Sequence, residues 1–280
     1  MNIITVNVGQ GALAIVRHNN EALIVDSSIP PSEAENVAHV KQMLAASLKG
    51  HYVNGLILTG FDSDHTDVIG ATIILQKYRP DWLMYPACYK DSREADLFFD
   101  LVDEQVANRR DSARPLTRIG VRLDQLRNRE LSGLSQNFGF QLFSPHIQDM
   151  TTSNNSSIVL KVTGLGPGGF SYLITGDTES DRWRVISELF GSSLKSHVLA
   201  AAHHGSLNGV NAAALLNIDP HTVHISAGIG NQYGHPHPAA LRAYQLVAKQ
   251  VFSTSMNGGV SILTQPGKRE LSTTLVPHSV

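Results

Sequence analysis

The feature that most limits how this chain can fold is a repeated pairing: a strand-length apolar run closes, and a polar cluster follows at once. It occurs at LILTGFDSDH (56–65), YLITGDTES (172–180), LAAAHHGS (199–206) and ISAGIGNQYGHPHP (225–238). Apolar runs of this length that end in glycine or a turn signal are read as buried strands. Polar groups gathered at strand ends are where loop side chains of layered α/β proteins converge. Asp62, Asp64, His65 and Asp67 pose the question most sharply. Carboxylates this close repel one another unless a positive charge sits among them. A bound cation is one answer, and a solvated turn capping the next helix is the other.

The rest of the chain supports a two-sheet arrangement. NIITVNV and LAIVRHNNEALIVDSS are predicted as short strands, the latter folded at an HNNE hairpin. EAENVAHVKQMLAASL (33–48) has helical spacing, with Val37, Val40, Leu44 and Leu48 on one face. VNGLILTG is a strand, DVIGATIILQKY the helix after it with Asp67 or Thr66 as N-cap, and DWLMYPA another strand. Strands return at GFQLFSP, SSIVLKVTG and FSYLITGD. Helices DRWRVISELFG, NAAALLNI and AALRAYQLVAK then alternate with strands HVLAAAHHGS and TVHISAG, before a final strand pair around GGVSILTQPG. This order predicts an α/β protein, an αββα sandwich, as a single domain over residues 1–280.

Residues 88–130 break the pattern. They are polar and carry seven arginines between positions 109 and 129: Arg109, Arg110, Arg114, Arg118, Arg122, Arg127 and Arg129. A helical insertion or lid is expected here. Guanidinium groups suit phosphate oxygens, so Arg109, Arg110 and Arg114 are candidates for substrate binding, although an ordinary Arg-rich helix face, diluted by Asp111, Asp124 and Glu130, has the same composition.

Composition excludes several classes. A net charge of −2 offers no broad attraction to nucleic acid or anionic membrane. The single cysteine, Cys88, rules out an internal disulfide and a cysteine-based zinc site. No run approaches the roughly 20 apolar residues of a membrane span, and the opening MNIITVNVGQG lacks signal-peptide features, so a cytoplasmic location is expected. With a cysteine-based site ruled out, carboxylates and the histidines clustered between residues 197 and 237 are the available metal donors.

The stretches VNVGQG, LIVDSS, DSDHTDVIGA, NNSSIVLKV, YLITGDTE, AAHHGS and ISAGIGNQYGHPHP together resemble the metallo-β-lactamase-fold hydrolases, and within them the soluble nuclease-type domain of the ComEC DNA-uptake channels. The likeness runs over residues 3–265, leaving 88–130 outside it. It implies that Asp64 and His65 are the DH of the family's HxHxDH motif, that Asp177 bridges two metals, and that His203 and His235 lie at late metal positions. His204 falls where a residue donates a proton or shapes the site, and Asp26 where an acid orients the ligands. Asn155 and His237 are expected just outside the ligands. The chain also departs from the pattern. The two earlier histidines of the motif fall on Gly60 and Asp62, Asn154 or Asn155 stands where many relatives bind metal through histidine, and Ala12 replaces a common acid.

The resemblance implies a metal-dependent hydrolase, most simply a phosphodiesterase or nuclease, with Asp64, His203 and His204 as catalytic groups and Asp62, Asp64, His65, Asp177, His203 and His235 as metal ligands. One or two divalent ions, zinc or manganese, are expected, manganese being favoured for activity by the oxygen-rich donors. A nucleic acid or nucleotide is the expected substrate, and a separately encoded protein partner is possible. A degenerate binding protein without turnover and an ester, lactone or thioester hydrolase are the alternatives.

Overall fold

The computed structural model describes residues 1–29, 34–89, 91–125, 131–149 and 152–277. In chain order the elements are β1 (Asn2–Thr5), β2 (Ala14–His18), β3 (Glu21–Val25), α1 (Ala34–Leu48), β4 (Tyr52–Ile57), α2 (Val68–Ile73), β5 (Trp82–Pro86), α3 (Arg93–Arg109), β6 (Thr117–Val121) and β7 (Phe138–Ser144). There follow β8 (Val159–Gly164), β9 (Ser171–Ile174), α4 (Ser180–Phe190), β10 (Val198–Ala200), α5 (Ala212–Ile218), β11 (Thr222–Ile225), α6 (Pro238–Val247), β12 (Gln250–Ser253), β13 (Val260–Pro266) and β14 (Leu271–Pro277). They form an eight-stranded sheet, β14-β13-β1-β2-β3-β4-β5-β6, and a six-stranded sheet, β12-β11-β10-β9-β8-β7.

Alternation along each strand makes the layers. Ile3, Val16, Leu23, Val25, Ile57 and Met84 from the first sheet meet Leu160, Val162, Tyr172 and Ile174 from the second in one buried cluster. Their chain neighbours Ile4, Ile15, Ile24, Leu56 and Leu83 face the opposite way and pack with Val40 and Leu44 of α1 and Phe98 and Val102 of α3. Leu173, Leu199 and Val223 likewise meet Trp183, Ile186, Leu215 and Tyr244 of α4, α5 and α6. Successive strand side chains point to opposite faces, and here both faces are covered, which is why these strands read as unbroken apolar runs. The architecture is the expected αββα sandwich.

Residues 88–130 differ from expectation. The helix is present as α3, started by Ser92, whose hydroxyl accepts from Ala95 N. Residues 117–121, however, form β6, paired in parallel with β5 from Trp82↔Thr117 to Pro86↔Val121. That part is the sheet's own edge strand rather than an insertion. An edge strand with exposed Thr117, Arg118 and Gly120 has no apolar run to mark it in the sequence. β12 is a further strand beyond the sequence expectation. Arg127, Arg129 and Glu130 lie outside the described residues.

Strands β3, β4 and β5 run parallel in the first sheet, as do β9, β10, β11 and β12 in the second. Chain segments leaving the C-terminal ends of β3, β4, β9, β10 and β11 carry Asp26, the 59–67 loop, Asp177, the 202–206 turn and Ser226 to one edge of the sandwich.

Candidate metal centre

The loop after β4 is fastened from within. His65 N and Thr66 N both donate to Asp62 O at 2.9 Å, and Thr66 Oγ1 donates to Gly60 O. Asp67 is the N-cap of α2, accepting from Gly70 N at 2.7 Å, so the last of the four clustered polar residues serves the helix. Ala12 N donates to Asp64 O at 2.7 Å, which ties the 9–12 turn onto the same loop. That approach requires Gly11, whose φ is +151°; a Cβ there would sit 2.2 Å from Ser28 Oγ and 3.0 Å from Asp64 O. From the other side Phe61 inserts among Tyr89, Phe98 and Phe99, with ring centroids 4.6–5.8 Å away, so α3 braces the loop with aromatic rings.

Asp64, His65, Asp177 and His204 bring one donor atom each to within 4.8 Å of one another. Buried His65 lies between two carboxylates, Nε2 2.8 Å from Asp177 Oδ1 and Nδ1 3.0 Å from Asp26 Oδ2. Asp26 is itself held by Thr59, whose N and Oγ1 donate to Oδ1 at 2.7 and 3.0 Å. His204 Nδ1 is 2.9 Å from Ser226 O, which assigns the ring proton to Nδ1 and leaves a lone pair on Nε2. That Nε2 points at Asp64 Oδ2 (3.3 Å) and Asp177 Oδ1 (3.7 Å), and among the described residues it has no well-directed hydrogen bond. An acceptor aimed at two acceptors calls for a cation between them. Burial resists charge on His65, yet Asp177 and Asp26 outweigh it and hold the imidazole well above its ordinary pKa. His204 is raised against its burial by Asp177 and Asp64. Asp177 is pulled below the ordinary carboxylate range despite complete burial, chiefly by His65 and His204. The buried lone pair and the mixed oxygen and imidazole donors fit a divalent cation.

The backbone is distorted here. Asp26 (φ 59°), His203 (51°) and His204 (54°) are non-glycine residues in the left-handed region. Such conformations cost about 1–3 kcal/mol each and tend to cluster at functional sites.

The expected site residues fall into three groups. Asp64, His65 and Asp177 come together, with Asp26 behind His65 as the resemblance implied. His204, expected to donate a proton, is instead the imidazole inside the four-residue group. His203, Asp62 and His235 border it. His203 Nε2 is 4.0 Å from Asp177 Oδ2, and its Nδ1 is 3.9 Å from Glu179 Oε1. Asp62 has its carboxyl pushed up by burial, with Asp177 and Asp64 adding to the shift and a Ser153 hydrogen bond opposing it. The His235 ring lies 5.7 Å from that of His203 and 6.4 Å from that of His204. Nδ1 of both His203 and His235 is buried without a hydrogen-bond partner among the described residues.

The remaining expected residues lie elsewhere. Asn155 is directed at the loop after β9: it accepts from Glu179 N and donates to Asp181. Asn154 donates to Glu179 Oε1 at 3.0 Å. His237 is exposed and caps α6 by accepting from Ala239 N, so its separation from the cluster corrects the expectation. The arginines are corrected more sharply. Arg109, 2% exposed, donates to Arg114 O and Pro80 O. Arg114 pairs with Asp81, donates to Val53 O and stacks over Tyr52 at 4.1 Å. All these partners sit at the starts of β4, β5 and β6, the end of the sheet away from the cluster. Arg110 is the exposed C-cap of α3, at that same end. Thr59, Glu179 and Ser226 were not anticipated: only their spatial placement gives them a role.

The cluster opens into a cleft of about 970 Å³, whose lining includes Gln10, Phe61, Asp62, Asp64, Glu94, Asn154, His203, Tyr233 and His235. Segment 88–130 reaches it through Ser92 and Glu94 at the start of α3.

No family model matches the chain. Solved structures do. Igni18, described as a novel metallo hydrolase from the hyperthermophilic archaeon Ignicoccus hospitalis KIN4/I, superposes with a TM-score of 0.51 and 14% identity, over 95% of this chain and 100% of that one. The metallo-β-lactamase fold protein YhfI from Bacillus subtilis gives a TM-score of 0.50 and 11% identity, over 94% of this chain and 99% of its own. The chain has the metallo-β-lactamase fold, carrying a candidate metal site at the sheet edge. In sequence it resembles a ComEC-type protein: ComE operon protein 3 of Bacillus subtilis (strain 168) is 28% identical over 209 residues, which are 74% of this chain and 24% of the relative. The chain thus spans less than a quarter of that protein's length. Among the described residues no helix is long and apolar enough to cross a membrane.

Proposed function

We propose that this chain is a metal-dependent hydrolase acting on phosphodiester bonds. The observation that carries the reading is the Asp64–His65–Asp177–His204 group, with Nε2 of His204 aimed between two carboxylates without a well-directed hydrogen bond among the described residues, and a nucleotide-sized cleft at its mouth. These four residues would hold the ion, with Asp62, His203 and His235 bordering a second position across Asp177. When bound, the ion supplies positive charge that polarises a phosphoryl oxygen and acidifies water.

The protein's own groups do the rest. Asp26 fixes the His65 ring through Nδ1, and Ser226 O fixes His204 through Nδ1, so neither imidazole turns away. Asp64 reaches the cleft and accepts the proton of the attacking water. His204 is anchored at Nδ1 and committed to the group at Nε2. The proton for the leaving oxygen therefore falls to His203, whose ring borders the cleft and whose Nδ1 faces Glu179.

The test is a substrate panel of a linear oligonucleotide, a cyclic dinucleotide and a carboxylic ester, with the protein stripped and then reloaded with Mn²⁺ or Zn²⁺. Phosphodiester cleavage lost on chelation, and restored better by Mn²⁺ than by Zn²⁺, is expected. Ester turnover with intact phosphodiesters overturns the reading.

A further inference from the structure

Resting on the phosphodiesterase reading, we propose that the cleft grips its substrate by stacking an unpaired nucleobase on Tyr233, which makes single-stranded ends or free nucleotides its substrates and excludes base-paired duplex.

The first ground is charge. Among the described residues that line the cleft there is no lysine or arginine, whereas Asp62, Asp64, Asp67, Glu94 and Asp177 are all present. Duplex-binding surfaces neutralise many phosphates with basic side chains, and their affinity falls steeply with salt as a result. The described lining residues include no such groups, so the cation that the site would hold is the charge they leave to draw in a phosphate. Affinity for the rest of the substrate must come from uncharged contacts.

The second ground is the ring geometry. Tyr233 is 60% exposed. One face lies against His235, with centroids 5.7 Å apart and planes 24° from parallel. His235 lies in turn 6.4 Å from His204 at 13°. Three nearly parallel rings thus lead from the buried group to the cleft surface, and the outermost is available for one more planar ring.

The third ground is rigidity. Asn231 clamps the loop that carries Tyr233: its Nδ2 donates to Gly228 O (2.8 Å) and His235 O (2.6 Å), and its Oδ1 accepts from Tyr233 N (3.2 Å) and His235 N (3.0 Å). A tyrosine exposed on a clamped loop gives up little freedom when a base settles on it. Base–aromatic stacking tolerates any base, because each has a π-face, but it requires the base to be unpaired.

The experiment compares wild type, Tyr233→Ala and Tyr233→Phe, loaded with Mn²⁺, on a single-stranded oligonucleotide, a blunt duplex, and an oligonucleotide whose terminal nucleotides lack their bases. Tyr233→Ala is expected to raise KM for the single strand about tenfold, and Tyr233→Phe to recover it. The penalty should vanish on the base-less ends, and KM should depend weakly on salt. Equal KM for wild type and Tyr233→Ala, the same penalty on base-less ends, or preference for duplex overturns the proposal. Fluorescence anisotropy on the labelled single strand separates this idea from the reading beneath it. Binding that depends on Tyr233 without turnover sinks the hydrolase and keeps the stacking site. Turnover indifferent to Tyr233 keeps the hydrolase and sinks the stacking site. Neither binding nor turnover sinks both.

Discussion

Asp26 lies behind the cluster, yet it decides which nitrogen of His65 faces inward. Its carboxylate accepts from Nδ1, so Nε2 is turned towards Asp177 and the rest of the group. Asp26→Asn keeps the shape and offers an amide where the ring needs an acceptor. Metal affinity, measured by competition with a chelator, is expected to fall about 10- to 100-fold. Asp62 and Asp177 divide differently. Calorimetric titration of Asp62→Ala with Mn²⁺ should weaken a second, looser binding event and spare the first. Asp177→Ala should impair both, since its two oxygens face different histidines. Two equally tight events in both variants contradict this division. At this scale Asp64, His65 and Asp177 were legible, because each follows a strand-length apolar run. That His204 joins the four-residue group while His203 borders it was not legible, because both residues are left-handed and no spacing rule conveys where their rings then lie. Thr59 and Ser226 are ordinary strand-end hydroxyl residues until folding sets them against Asp26 and His204.

Among the elements, α3 and β6 show how a charged segment can be misread. The arginines looked like a phosphate-binding face, but Arg109 and Arg114 tie the C-terminal end of α3 to the starts of β4, β5 and β6. Arg114→Ala removes a charge-assisted pair with Asp81, a bond to Val53 O and the cover over Tyr52. A loss of about 1–3 kcal/mol is expected in denaturant unfolding. KM for the substrate and its salt dependence should not move; if they do, the substrate-binding assignment is restored. The amphipathic α1 was legible because Val40 and Leu44 recur at helical spacing and are fully buried. β6 was not, because its register is imposed by β5 and leaves little trace in its own residues.

Across the whole molecule the two sheets are joined by more than apolar contact. His224 of β11 sits between them, Nδ1 2.9 Å from Thr5 Oγ1 of β1 and Nε2 2.7 Å from Thr264 Oγ1 of β13. Complete burial pushes its pKa down to about 3. The unfolded chain takes up this proton near pH 6.5 and the folded one does not. The contribution is therefore full above about pH 6.5 and is lost as pH falls towards 3, at up to about 1.4 kcal/mol per pH unit. His224→Leu is expected to be less stable at neutral pH, with Thr5 and Thr264 each losing a hydrogen bond, but to show a shallower decline between pH 6.5 and 4. Urea titrations of both proteins at several pH values measure the difference, and parallel declines count against the assignment. The sandwich was foreseeable because apolar runs and helices alternate through the chain; this polar tie was not, since His224 and its two threonines are distant in sequence and none is marked by a motif.

The division of the cluster between the sheets also sets an order of events. Asp26, Asp64 and His65 belong to segments leaving the first sheet, Asp177 and His204 to those leaving the second, and the first sheet is complete only when residues 260–277 have joined β1 through β13. A chain emerging in sequence would carry half of the donors long before the other half exists. Tight capture of the ion must follow docking of the two halves, which places it late in folding. Mn²⁺ is then expected to slow unfolding and leave the refolding rate almost unchanged in stopped-flow measurements. The ion acts as a latch on the finished molecule, lengthening its lifetime without hastening its birth.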